Sequence, residues 1–174
     1  MLRFLLIFLV LLLVMFVAEL TPPVEHYVIE PFTAMLADAC AWIIHWFDPS
    51  TRSSGKFIEG GDGTFLVSIE RGCNGIEAVI ILFAAILAFP APWKHKIAGL
   101  GAGLVAVQLL NIVRIVSLFF LGLWHRTWFE WFHLYLWQAL IVLDALIVFL
   151  VWLRMVPRLG SVQSTMRQAG AASP

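Results

Sequence analysis

Charge is what this 174-residue sequence has least of, with 11 Lys and Arg against 11 Asp and Glu. Charged residues make up 13% of the chain, where a soluble domain carries about a quarter. With 61% hydrophobic residues there is too little charge to cover a water-facing surface, so a soluble monomer and a disordered chain are both excluded. The net charge is zero, which removes the basic excess that a nucleic-acid partner would call for. Cysteine is scarce too. Two residues cannot build a disulfide scaffold, and no C-x-x-C pair points to thiol-redox or zinc chemistry. No metal and no cofactor are expected, and there is no internal repeat.

Long apolar runs are what the sequence does have, and the lipid bilayer is the partner they imply. They cover residues 4–18, 76–89, 97–124 and 132–153. A spanning helix needs about 20 residues. The third and fourth runs reach that length, and the second does so only if it begins near Cys73. The first could be a signal peptide, but Phe16-Val17-Ala18 places a bulky residue where a small one is required, which favours a retained helix. Basic residues set the orientation. Arg3, the pair Lys94 and Lys96, and Arg154, Arg158 and Arg167 all become cytoplasmic if both termini are inside.

The expected fold is therefore an all-α polytopic membrane protein with about four transmembrane helices. The layout reads as helix 1 over 1–20, an outer region over 21–72 and helix 2 over 73–89. A cytoplasmic loop at 90–96 leads to helix 3 over 97–122. An outer loop at 123–131 and helix 4 over 132–153 follow, then a cytoplasmic tail over 154–174, disordered from Gly160. Within the outer region, residues 31–47 repeat apolar side chains at helical spacing and carry Trp42 and Trp46, as an interfacial helix would. Residues 56–58 and 64–70 flank Gly60-Gly61-Asp62-Gly63 and read as a β-hairpin that must pack on the membrane-embedded part.

Ionisable residues inside spans are functional hypotheses by default, and Arg114 and Asp144 are two of them. At about 1.5 Å rise per residue, Cys73, Arg114 and His133 lie about 24, 26 and 30 Å above the cytoplasmic ends of their helices. A thiol, a guanidinium and an imidazole at one depth suit nucleophilic acyl transfer. Each has a plainer reading. Asn74 and Glu77 fit an Asn-x-x-Glu variant of the capping box, and Cys73 could be packed there or bridged to Cys40. A helix N-terminus and Arg71 would instead lower its pKa. Arg114 could snorkel to the interface, although Asn111 one turn below suggests an arranged polar cluster. His125 and Arg126 compete with His133, and Asp144 lies about 16 Å deeper, fit for a structural hydrogen bond.

The segments Arg71-Gly72-Cys73-Asn74-Gly75-Ile76 and Asn111-Ile112-Val113-Arg114-Ile115, with His133 opening the last span, resemble the exosortase/archaeosortase family. The resemblance runs from about residue 56 to 153, hairpin strand included. Many exosortases have about eight spans; this chain has four and is most similar to the short exosortase H type. The resemblance implies a membrane cysteine protease with transpeptidase character in the inner membrane of a Gram-negative bacterium, with its active site on the periplasmic side. Its substrates would be secreted proteins ending in a short motif of the IPTL class, a transmembrane helix and a basic tail. The acceptor stays open, lipid-linked and glycan molecules both being options.

On this reading Cys73 attacks the scissile carbonyl, His133 moves the proton and Arg114 stabilises the oxyanion, with the last two roles open to partial exchange. Asn111, Asn74 and Glu77 are the supporting residues. The rival class is a non-catalytic assembly factor or subunit, with a structural Cys73 and with Arg114 paired to a partner's acid. A quinone-coupled thiol oxidase is disfavoured for want of a second cysteine pair.

Overall fold

A computed structural model describes residues 2–60 and 62–156. Arg158, Arg167 and the tail from Gly160 lie outside the described residues. Helix α1 (Leu2–Glu19) is apolar around its whole circumference and packs on α3 (Ile76–Ala88). Of its residues only Glu19 is buried, so the remainder of its surface suits lipid. Helix α2 (Pro22–His45) begins with two prolines in its first turn, where the missing N–H groups cost nothing. Pro31 would break an interior hydrogen bond further on. A π-helical turn at Glu25–Ile29 immediately precedes it and accommodates the loss.

A three-stranded antiparallel sheet follows, with β1 (Arg52–Ser54), β2 (Phe57–Gly60) and β3 (Phe65–Ser68) in sequence order. Ile58 pairs with Val67 and Glu59 with Arg52. The expected hairpin is thus β2–β3, extended by β1, a polar Arg-Ser-Ser strand with no alternating apolar signal to reveal it. Helix α4 (Trp93–Trp124) runs for 32 residues, and α5 (Arg126–Met155) for 30 with a π-helical turn at Phe132–Leu136.

Two cores hold these elements. The lower one is a helix bundle built from Ala78, Leu82, Ile86, Val107, Ala145 and Trp152. Gly99 and Gly103 of α4 let Trp152 and Leu82 approach its backbone, and Trp152 Nε1 donates to the His95 carbonyl at 2.9 Å. Lys96 Nζ closes the end of α3 on the Leu87 carbonyl at 2.6 Å. The upper core brings Leu36, Cys40 and Ile44 of α2 and Ile58 of β2 against Ile115 and Phe119 of α4. Gly122 of α4 lies where a Cβ would fall on the Phe65 ring, which sets the approach of sheet to helix. Cys40 is a free thiol in the centre of this core, so the alternative of a bridge to Cys73 is not realised.

The protein is an all-α polytopic membrane protein with four helices long and apolar enough to cross a bilayer. The four are α1, α2, α4 and α5; α3, at 13 residues, is shorter than expected. Several boundaries differ from the sequence reading. Helix α2 starts at Pro22 rather than at 31, because the Pro-Pro pair opens a helix. The loop expected at 90–96 is instead residues 89–92, since α3 ends at Ala88 and Pro92 precedes the first turn of α4. The expected outer loop at 123–131 is reduced to His125, whose extended backbone (φ −154°, ψ 109°) separates α4 from α5.

Candidate active site

Residues 69–75 join the sheet to α3 and lie where the two cores meet. Gly72 and Gly75 both have left-handed backbones, with φ of 79° and 77°. The second of these forces the helix to begin at Ile76, three residues later than Cys73. The capping box is rearranged accordingly. Asn74 Oδ1 accepts from the Ile76 N–H at 3.1 Å, while Glu77 Oε1 accepts from the Gly72 N–H at 2.5 Å instead of from Asn74. Asn74 is buried and its Nδ2 donates to Thr33 Oγ1 of α2 at 3.4 Å. Cys73 N–H donates to the Glu70 carbonyl at 2.9 Å. The Glu70 carboxylate is pinned in turn by Lys56 Nζ, 2.8 Å from both oxygens, and by Ser68 Oγ. Those hydrogen bonds hold its carboxyl below the usual range.

The fixed loop presents Cys73 to two other helices. Arg114 of α4 is 2% exposed; its Nη1 donates to the Gly72 carbonyl at 3.0 Å and its Nη2 lies 3.6 Å from Cys73 Sγ. It does not snorkel. His133 Nε2 is 3.9 Å from the same sulfur, and its ring stacks parallel on Phe129 at 5.7 Å between centroids. Phe129 is one turn back along α5, an i, i+4 aromatic pair. A cleft of about 380 Å³ opens over these groups between β3 and the α4–α5 corner.

The structure therefore brings Cys73, Arg114 and His133 together. Of the competing residues, His125 is exposed at the corner, and Arg126 is 3.6 Å from Glu130 at the edge of the cleft. Asp144 Oδ2 is buried with no hydrogen-bond partner among the described residues, so the expected structural bond is not made. Asn111 is buried and Gln108 half-buried on α4, with their amides beneath Gly75. The expectation of a lowered thiol pKa is corrected. Cys73 lies outside every helix long enough to span, and burial pushes its thiol up, opposed by the Arg114 cation and reinforced by Glu77 and Glu70. Arg71 cannot help, because it turns away to an ion pair with Glu25 of α2.

A family model described as transmembrane exosortase (Exosortase_EpsH) matches residues 1–153. The chain belongs to the transmembrane exosortase family. The match takes in α1, α2, the sheet and nearly all of the bundle, so the family likeness extends well before residue 56. No curated protein and no solved structure matches the chain. Membership makes this exosortase a multi-pass membrane protein with a function related to protein sorting.

Three features of the exosortase site escaped the sequence reading. The Gly72 carbonyl, as a backbone acceptor, has no sequence signal. Glu25 as the partner of Arg71 depends on a helix start that the Pro-Pro pair could have revealed. Phe129 beside His133 was readable from its four-residue spacing. Among the described residues no three His, Cys, Asp or Glu side chains are grouped as a metal would need.

Proposed function

We propose that the protein is a membrane cysteine peptidase with transpeptidase character, acting on the C-terminal sorting signal of secreted proteins. The observation that carries this reading is Cys73 Sγ, 3.6 Å from Arg114 Nη2 and 3.9 Å from His133 Nε2. A buried thiol is protonated at neutral pH, so its proton passes to His133 as sulfur attacks the scissile carbonyl. The carbonyl oxygen becomes an oxyanion near Arg114, and one such donor is worth about 10²–10³ in rate. The C–N bond then breaks, the leaving amine takes the proton from His133, and a thioester remains on Cys73. An acceptor hydroxyl or amine, or water, attacks the thioester, its proton goes to His133, and the thiol is restored.

An apolar groove of about 470 Å³ between α1 and α5, floored by Ala78, Leu82 and Ala85 of α3, suits the transmembrane helix of the substrate. It reaches Gly72, next to the nucleophile. The basic tail of the substrate would lie at the cytoplasmic face, and the similarity to exosortase H favours an IPTL-class motif. With both termini inside the inner membrane of a Gram-negative cell, Cys73 faces the periplasm. In this arrangement α3 crosses enclosed by α1, α4 and α5, which satisfy its short length, and α2 caps the outer face with the sheet. The acceptor would be a lipid-linked or glycan molecule.

The non-catalytic alternative requires Arg114 to meet a partner's acid. Its burial and its bond to the Gly72 carbonyl speak against that. Cleavage of a sorting-signal substrate in membranes tests the proposal. Cys73→Ala, Arg114→Ala and His133→Ala should each stop cleavage at near-normal abundance, and their losses should be strongly non-additive. Activity in His133→Ala with a dead His125→Ala would move the site to the α4–α5 corner.

A further inference from the structure

One edge of the three-stranded sheet is left open: among the described residues β3 pairs with β2 alone. The ladder shows which of its backbone groups point outward. Ile69, just past β3, donates its N–H to the Lys56 carbonyl at 2.9 Å, and the register sets Ser68 opposite Phe57 and Val67 opposite Ile58. Bonding alternates along an antiparallel pair, so Phe65 and Val67 turn their N–H and C=O groups toward β2, while Leu66 and Ser68 turn theirs away from it. The cleft of about 380 Å³ is lined by every residue from Phe65 to Glu70. Successive side chains of a strand point to opposite faces. Here Phe65 and Val67 pack on the upper core, and Leu66 is 60% exposed on the other face. A space that meets both sets in succession runs along the edge between the two faces. It continues to Cys73, Arg114 and His133.

We infer that the open edge of β3 binds the substrate segment N-terminal to the scissile bond as a fourth, parallel strand, held through the backbone groups of Leu66 and Ser68. The inference rests on the catalytic reading, which supplies the occupant: a peptide whose motif precedes a transmembrane helix. Two spaces meet at the nucleophile. The apolar groove between α1 and α5 reaches Gly72, and the cleft reaches Cys73. A chain with its helix in the groove and the preceding residues in the cleft carries the intervening peptide bond past the sulfur. That chain runs toward Cys73, as β3 itself does, which makes the added strand parallel. Strand addition draws affinity from main-chain hydrogen bonds and specificity from alternate side chains. Only alternate N–H groups of the added strand turn toward β3, so the proline of an IPTL-class motif fits where the missing N–H would face the other way.

Disulfide trapping tests this without turnover. The full-length protein carrying Cys40→Ala and Cys73→Ala has no native thiol and consumes no substrate. The probe is a secreted reporter ending in an IPTL-class motif, an apolar helix and a basic tail. Single cysteines are stepped through its motif and the residues before it, and isolated membranes are oxidised with copper phenanthroline. Leu66→Cys should trap best at one substrate position and not at its immediate neighbours, which point to the other face. Ser68→Cys should trap best two residues nearer the substrate's C-terminus. Ser54→Cys, exposed on β1, should trap none. In the cleaving protein, Leu66→Pro deletes an outward N–H and spares the β2 ladder. It should lower cleavage about three- to tenfold at limiting substrate, the worth of one net hydrogen bond, with recovery at saturating substrate. Leu66→Ala keeps the N–H and should lose less, and Cys73 alkylation should be unchanged in both. If Leu66→Pro fails to accumulate, the trapping pattern decides. Trapping without alternation, a shift in the reverse direction, or unimpaired cleavage by a folded Leu66→Pro protein overturns the inference. So do Leu66→Cys dimers of the protein itself in place of substrate adducts. Any of these with normal parental cleavage leaves the catalytic reading standing. Trapping in the expected order without cleavage by the parent would count against the catalytic reading alone.

Discussion

Cys73 is surrounded by opposing charges, and their signs set how its reactivity responds to pH. Burial raises its thiol, Arg114 lowers it, and Glu77 and Glu70 raise it again. Alkylation by a membrane-impermeant reagent should therefore stay slow at neutral pH and climb only above the range in which an unassisted thiol ionises. Arg114→Ala should push that rise to higher pH, and Glu77→Gln should bring it to lower pH. A rise below the range of an unassisted thiol in the parent would contradict both the burial and the assignment of His133 as the group that takes the proton. Gly75 makes a second prediction at this scale. Alanine there would force a left-handed backbone on a β-carbon and place it 3.0 Å from Gln108 Nε2. Gly75→Ala should cost about 1–3 kcal/mol and reduce cleavage more than any surface variant, measured as thermal denaturation and turnover on the same sample.

At the scale of elements, α2 is the part of the fold that the sequence described least well. Its helical spacing over 31–47 was legible, but its buried face was not: Thr33, Leu36, Ala37, Cys40, Ala41 and Ile44 face the core, while Met35, Trp46 and Phe47 of the apolar repeat stay exposed. Its first turns were not legible either, because Pro-Pro and a π-helical turn disturb that spacing before residue 30. Strand β1 was invisible because all three of its residues are polar. Arg114 and His133 were legible as residues near one depth from helical rise, whereas Cys73, placed by the same rise, lies in the loop before α3 and not on the helix. The contacts among the three were not legible, because these depend on the loop at 69–75, where two left-handed glycines and a displaced capping bond override the usual helix start. Cys40 provides the check on the upper core. Cys40→Ala removes one sulfur from a fully buried position and should cost about 1 kcal/mol while leaving cleavage intact. If cleavage is abolished while Cys73→Ala remains active, the nucleophile has been misassigned.

Over the whole molecule, orientation rests on basic residues at one end of the bundle. Arg3, Lys94, Lys96 and Arg154 lie at or beside the ends of α1, α4 and α5 that are remote from Cys73. Reporter fusions after Phe57 should read outside the cytoplasm, and those after Lys94 and Arg158 inside. An outside signal at Lys94 would invert the proposed arrangement and put Cys73 on the cytoplasmic side. The connection at residues 89–92 carries one more consequence. It is four residues long, and it divides the proposed nucleophile from its two proposed helpers in chain order: Cys73 precedes it, while Arg114 and His133 follow. A gene cut at Ala91 would encode two inert halves, each with its own apolar helices. Because α3 packs against both α4 and α5, the halves have a surface on which to find each other in the bilayer. Co-expression should restore by complementation what neither polypeptide possesses alone.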